Sequence, residues 1–332
     1  MNRRGLSWAL LCLVAGCAGL PERGSDPAAP APELASVAIE LAETPFYPQT
    51  RYQCGPAALA TVLTASGVPV APEILEPELF VPERRGALQL DLVGAVRRRE
   101  RLPVRVAGGL PEVVQQLQAG RAVLVLQNLG LSWLPRWHYA VVVGYDPERD
   151  QVVLRSGTTQ REILSRRRFQ ATWDRADRWG LVLLGPQQEP RAVDRAAYLQ
   201  AAAGLESTGH HQAALQAFDS ALTLWPGDTI ALLGRANNLY QVGRLDEAED
   251  GYRRLLAGAP ADRAGINNLV TLLLERDRPC AAAEVLAAVP ESDLPWVVSL
   301  AADPRMGDCT AAVPVGTQRP PSRPEGADGH HD

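Results

Sequence analysis

The chain is expected to hold an α+β domain, with a cysteine-bearing helix packed on an antiparallel sheet, followed by an all-α solenoid of helical hairpins. Three observations predict this. Residues 37–186 contain β-rich runs at 122–127, 138–145, 151–155 and 180–184. Runs so close together in sequence pair most readily as antiparallel neighbours. Ahead of them, an extended, proline-containing stretch ends at Cys54, and the Ala- and Leu-rich segment after it reads as a helix. From about residue 196, Ala214, Ala248 and Ala282 recur at a spacing of 34 (248−214 and 282−248). A fixed period of that length is the mark of stacked helical pairs.

The order begins with a leader. Arg3 and Arg4 precede an apolar run over 6–14 that is too short to span a bilayer. Val14-Ala15-Gly16-Cys17 then resembles the lipobox of bacterial lipoproteins, which implies that residues 1–17 are a signal peptide plus acylated Cys17. Ala at position 18, where Asp would signal retention, implies the outer membrane, with the protein facing the periplasm. Residues 18–36 are rich in Pro, Ala and Ser and read as a flexible linker, and 312–332 as a disordered tail. After the leader no apolar run is long enough to cross a membrane, so membrane contact is expected through the lipid anchor only. The net charge of −5 offers no clustered positive surface, and nucleic acid is not an expected partner. Neither a cofactor nor a metal is expected.

Of the five cysteines, Cys12 leaves with the leader and Cys17 takes the lipid. In an oxidising periplasm a disulfide between Cys280 and Cys309 is expected. Cys54 is then an unpaired thiol in an exported protein, and a candidate nucleophile. It stands at or just before a helix start, with Pro56 suited to the first turn. Orphan amides and the helix dipole there favour the thiolate, which predicts alkylation below the pH of a free thiol. Gly55 is expected to keep the backbone beside the sulfur open to substrate. The candidate base is His138, the only histidine of the first domain, at the start of a β-rich run.

Gln49, then Gln53-Cys54-Gly55-Pro56-Ala57-Ala58, then 120–126 and His138-Tyr139-Ala140-Val141-Val142-Val143-Gly144-Tyr145-Asp146 resemble the C39-like family of papain-like cysteine peptidases over roughly 40–185. The resemblance implies Cys54 as nucleophile, His138 as general base and Gln49 as the oxyanion-hole donor, with Gln53 as the fallback. The family's third residue, an Asp in an Asp-Pro step, is replaced by Leu154-Arg155-Ser156-Gly157-Thr158. Asp146 is the nearest downstream acid, but eight strand residues would set it roughly 26 Å from His138. A hairpin of 138–145 with 151–155 turns residues 156–158 toward the imidazole, so Ser156 or a carbonyl beside it is expected to orient His138.

Elsewhere in this domain, helices are expected at 88–99 and 111–119, and Arg166-Arg167-Arg168 as a solvated turn. In the second half, Phe218, Tyr252 and Leu286 keep the 34-residue spacing, and Gly209 and Gly243 mark tight turns. This resembles three tetratricopeptide units over 190–295, the third degenerate, with Asp277 at the turn position. Arrays of this kind dock peptides or partner proteins. His210 and His211 read as solvated. The two halves are expected to fold independently. Together these readings give a lipid-anchored peptidase acting on a peptide or protein substrate, with a repeat array that recruits partners. Two rivals are a catalytically degenerate peptidase-fold adaptor and a thiol acyl or amide transferase.

Overall fold

The computed structural model describes residues 36–49, 53–79, 87–289, 304–306 and 309. The leader, Cys17, nearly all of the 18–36 spacer and the 312–332 tail lie outside them. The first part is α+β: β1 (Ile39–Glu40), α1 (Cys54–Ala65), α2 (Pro72–Leu79), α3 (Gln89–Arg97), β2 (Leu102–Arg105), α4 (Leu110–Gln118), β3 (Val123–Asn128), β4 (Trp137–Asp146), β5 (Gln151–Ser156), β6 (Thr159–Ser165), α5 (Arg166–Asp174) and β7 (Gly180–Leu184). The seven strands form one sheet in the order β2-β7-β3-β4-β5-β6, with β1 beside β4 and every pair antiparallel.

The sheet is covered on both faces, which is why its central strands read as nearly unbroken apolar runs. One face carries Leu124, Leu126, Tyr139, Val141 and Val143 against Leu59 and Leu63 of α1 and Leu92 and Val96 of α3. The alternate residues Val123, Val125, Ala140 and Val142 pack against Val113 and Leu117 of α4 and Phe169 and Trp173 of α5. Sequence periodicity missed β2, which is four residues with a proline, and β6, whose side chains are mostly exposed. The arginine run at 166–168 is the first turn of α5 rather than a solvated turn. Ser165 caps that helix, and Arg166 pairs with Asp150 at 2.5 Å.

The second part is helical: α6 (Arg195–Glu206), α7 (His211–Leu224), α8 (Thr229–Gln241), α9 (Leu245–Gly258), α10 (Arg263–Glu275) and α11 (Pro279–Ala287). Ala214, Ala248 and Ala282 are fully buried at the helix crossings, and Phe218 and Tyr252 fill the seams. Gly234 sits where a Cβ would fall 2.3 Å from the Phe218 ring. Gly209 and Gly243 have φ near +80°, and Asp277 takes the same left-handed turn at φ 55°. A second 34-residue ladder escaped the sequence reading. Asp194, Asp228 and Asp262 (228−194 and 262−228) each cap the first helix of a pair by accepting an amide at 2.8 Å. His211 is held 3.0 Å from Asn238 Oδ1, and both His210 and His211 are half-buried, so neither is simply solvated. Cys280 and Cys309 are joined in a disulfide, with Cα atoms 5.0 Å apart.

The cores do not divide where the secondary structure changes type. Tyr198, Leu199, Ala202 and Leu205 of α6, with Phe218 of α7, belong to the same buried cluster as Leu102, Val104 and Leu184 of the sheet. The connection is pinned as well: Arg121 donates to the Arg191 carbonyl at 2.6 Å, and buried Gln116 donates to that of Ala192. A separate cluster, built mainly by α8 to α11, also takes in Leu215 of α7, and Ala231 of α8 belongs to the sheet cluster.

Candidate active site

Four helices, α5, α6, α8 and α10, have a Ser or Asp side chain on their first-turn amides. Helix α1 has none. The backbone N–H groups of Cys54, Gly55 and Tyr139 point to the Cys54 sulfur. The thiol is thus lodged between the uncapped start of α1 and the third residue of β4. Gly55 owes its identity to packing rather than to an open path for substrate: it is buried, and a Cβ there would lie 2.6 Å from Ala87 Cβ.

His138 precedes Tyr139, so the imidazole hangs from the strand position next to the amide that faces the sulfur. Its Nε2 lies 2.9 Å from Ser156 Oγ, and Ser156 is buried. Among the described residues Nδ1 has no hydrogen-bond partner, and none joins His138 to Cys54. Ser156 reaches the ring because β5 runs back along β4 in the register Val141↔Arg155 and Val142↔Leu154. Asp146 sits at the opposite end of that hairpin, opposite Gln151, and is paired with Arg149 at 2.9 Å.

The turn after Ser156 holds a third group. The Gly157 carbonyl accepts the Gln49 N–H at 2.9 Å, tying the segment before α1 to the turn that carries Ser156. Arg155, 4% exposed, clamps the same segment by donating to the carbonyls of Ala42 and Thr44 at 2.9 and 3.2 Å. The Gln49 carboxamide has no hydrogen-bond partner among the described residues, and its Oε1 is buried. An unpaired buried amide costs about 1–3 kcal/mol, a cost that functional sites tolerate more often than cores do. Gln53, by contrast, donates to Glu76 at 3.0 Å.

The electrostatics correct one expectation. Burial pushes the Cys54 thiol up, outweighing the amides of Tyr139, Gly55 and Cys54 that pull it down. Burial also pushes the His138 imidazole below its ordinary value, with Glu162 opposing and Arg136 reinforcing the shift. Burial thus favours the thiol and the neutral imidazole, against the thiolate expected from the helix end. Iodoacetamide alkylation of Cys54 should follow an alkaline profile with its midpoint above that of a free cysteine. A midpoint below neutrality would show a resting ion pair instead.

Comparison with known proteins adds three findings. Residues 205–271 match the tetratricopeptide repeat family. The helical part carries that repeat. Among solved structures, one from Bacillus anthracis assigned to the C39-like peptidases is 17% identical, covering 44% of this chain and 97% of its own, with a TM-score of 0.38. The peptidase domain of Streptococcus ComA, a bifunctional ABC transporter involved in quorum sensing, is 19% identical, covering 43% and 98%, with a TM-score of 0.34. No curated protein matches the chain.

Proposed function

We propose that residues 37–186 carry a C39-like cysteine peptidase site, held at the periplasmic face of the outer membrane through Cys17, with the repeats docking substrate or partner proteins. The observation that carries this reading is the shared anchorage of thiol and base. The Cys54 sulfur meets the Tyr139 amide, while the neighbouring His138 is held through Nε2 by Ser156 and leaves Nδ1 open. In this reading Sγ adds to the peptide carbonyl carbon as its proton passes to Nδ1. The developing oxyanion takes hydrogen bonds from the Gln49 carboxamide and the Cys54 amide. The imidazolium then protonates the departing amine, leaving a thioester on Cys54. Water, deprotonated by His138, attacks the thioester, and the thiol is regenerated with release of the acid.

A second reading, a peptidase-fold adaptor without turnover, is favoured by two observations. Burial pushes both site groups toward their neutral forms, and a hydroxyl stands where a carboxylate would stabilise the imidazolium. Incubation with a denatured envelope-protein extract decides between them. New amino termini should accumulate with the wild-type chain and be absent with Cys54→Ala. Identical termini from both would remove the peptidase reading and leave the adaptor.

A further inference from the structure

The loop between β3 and β4 leads straight into His138 and is built against the ordinary logic of burial. Twelve large apolar side chains are exposed among the described residues, and five of them lie within 129–137: Leu129, Leu131, Trp133, Leu134 and Trp137. Trp133 is 78% exposed and Leu134 63%. Scattered exposed apolar residues are ordinary, but a cluster of this size marks a contact surface.

The segment is held by polar staples, not by a core beneath it. Buried Asn128 accepts the amides of Gly130 and Arg136, both at 2.9 Å, and Arg175 holds the Asn128 carbonyl at 2.9 Å. Leu129 donates to the Arg136 carbonyl at 2.9 Å, and Leu131 and Leu134 exchange two backbone hydrogen bonds at 3.1 Å. Gly130 is required by this closure, since a Cβ there would sit 2.4 Å from the Leu134 carbonyl. The result is a preformed hairpin that holds its apolar side chains out in solvent.

We propose that this hairpin is a membrane-contacting tip, seating Leu131, Trp133, Leu134 and Trp137 at the interface of a lipid surface and turning the Cys54–His138 site toward it. Two observations and the lipoprotein reading select lipid. Tryptophan and leucine flanked by a cation is the composition that settles at headgroup depth, and exposed Arg136 supplies the cation for lipid phosphate. The side chains project rather than line a cleft, which suits a yielding phase better than a rigid partner. On the lipoprotein reading, an acylated Cys17 would also hold the domain close to a membrane. Cys17 lies 19 residues before Ser36 (36−17), a tether of at most about 65 Å. That last point rests on the lipoprotein reading; the first two do not.

The test uses the full acylated chain in vesicles of phosphatidylethanolamine and phosphatidylglycerol with brominated acyl chains, read by tryptophan emission. Emission should be quenched relative to unbrominated vesicles, and most of that quenching should be lost in W133F/W137F. In L131D/L134D, which keeps both reporters on a solvent-exposed tip, quenching should fall to the same level while the protein still pellets with the vesicles. Pelleted wild-type protein with unquenched emission overturns the proposal. Two results would also overturn it by naming another occupant. One is an L131D/L134D effect confined to KM for a peptide, and the other is a self-association that L131D/L134D dissolves, each without quenching. If the wild-type chain fails to pellet, the anchor reading fails, and quenching at rising lipid concentration still decides the tip. Turnover enters none of the supporting readouts, so an inactive site leaves the result intact.

Discussion

His138→Ala is expected to lower kcat/KM on a cleaved peptide by about 10²–10⁴-fold, the range in which a positioned general base contributes. Gln49→Leu should cost about 10²–10³-fold, as loss of one oxyanion donor does. Gln53→Leu should cost much less, because its amide is committed to Glu76. The more discriminating change is Ser156→Asp. A carboxylate within reach of Nε2 favours the protonated ring, so the His138 value should rise and the acid limb of the pH profile should move upward with it. A carboxylate also stabilises the imidazolium formed during attack, so turnover above that limb should be unchanged or higher. Asp146→Asn should be nearly silent, since Asp146 is tied to Arg149 at the far end of the hairpin. Loss of activity in Asp146→Asn together with a silent Ser156→Ala would sink the assignment.

The placement of this site was legible because local pattern fixed most of it. The apolar run over 138–145 and a short loop to 151–155 make a hairpin, and the hairpin register carries Ser156 back toward His138. What could not be read from local pattern depends on solvent and on distant backbone. The shift of the Cys54 thiol is decided by burial under residues far along the chain, whereas the helix end that seemed to govern it is a local feature. The Gly157 carbonyl on Gln49 and the Arg155 clamp are contacts to main chain, which no side-chain motif announces. The constraint on Gly55 comes from Ala87, more than thirty positions away, and nothing beside Gly55 in the sequence announces it. The repeat shows the same contrast. Its small and aromatic positions show as a period, and the Asp194, Asp228 and Asp262 caps are equally periodic but stand outside the small-and-aromatic pattern of the repeat.

A chain ending at Pro186 is expected not to fold stably, although the last strand of the sheet is complete at Leu184. The reason lies in what α6 and α7 cover. Leu102, Val104 and Leu184 share one buried cluster with Tyr198, Leu199, Leu205 and Phe218. Removing the helices returns the apolar sheet face to water. At about 1.5–3 kcal/mol for each large side chain, losing several such burials approaches the 5–15 kcal/mol that holds a whole domain together. Truncation also leaves Gln116 without the Ala192 carbonyl and Arg121 without that of Arg191. A chain ending at Pro226 retains all of these contacts, together with Trp225 set edge-on to Tyr198 with ring centroids 6.1 Å apart. It should therefore unfold cooperatively, because the cluster built by α8 to α11 is largely a separate one. Urea denaturation followed by circular dichroism compares the two. A cooperative transition of similar midpoint in the chains ending at 186 and at 226 would mean that the sheet does not need the first helical pair. A transition only in the longer one would place the working boundary inside the repeat array, between α7 and α8, so that the first repeat belongs structurally to the domain bearing Cys54.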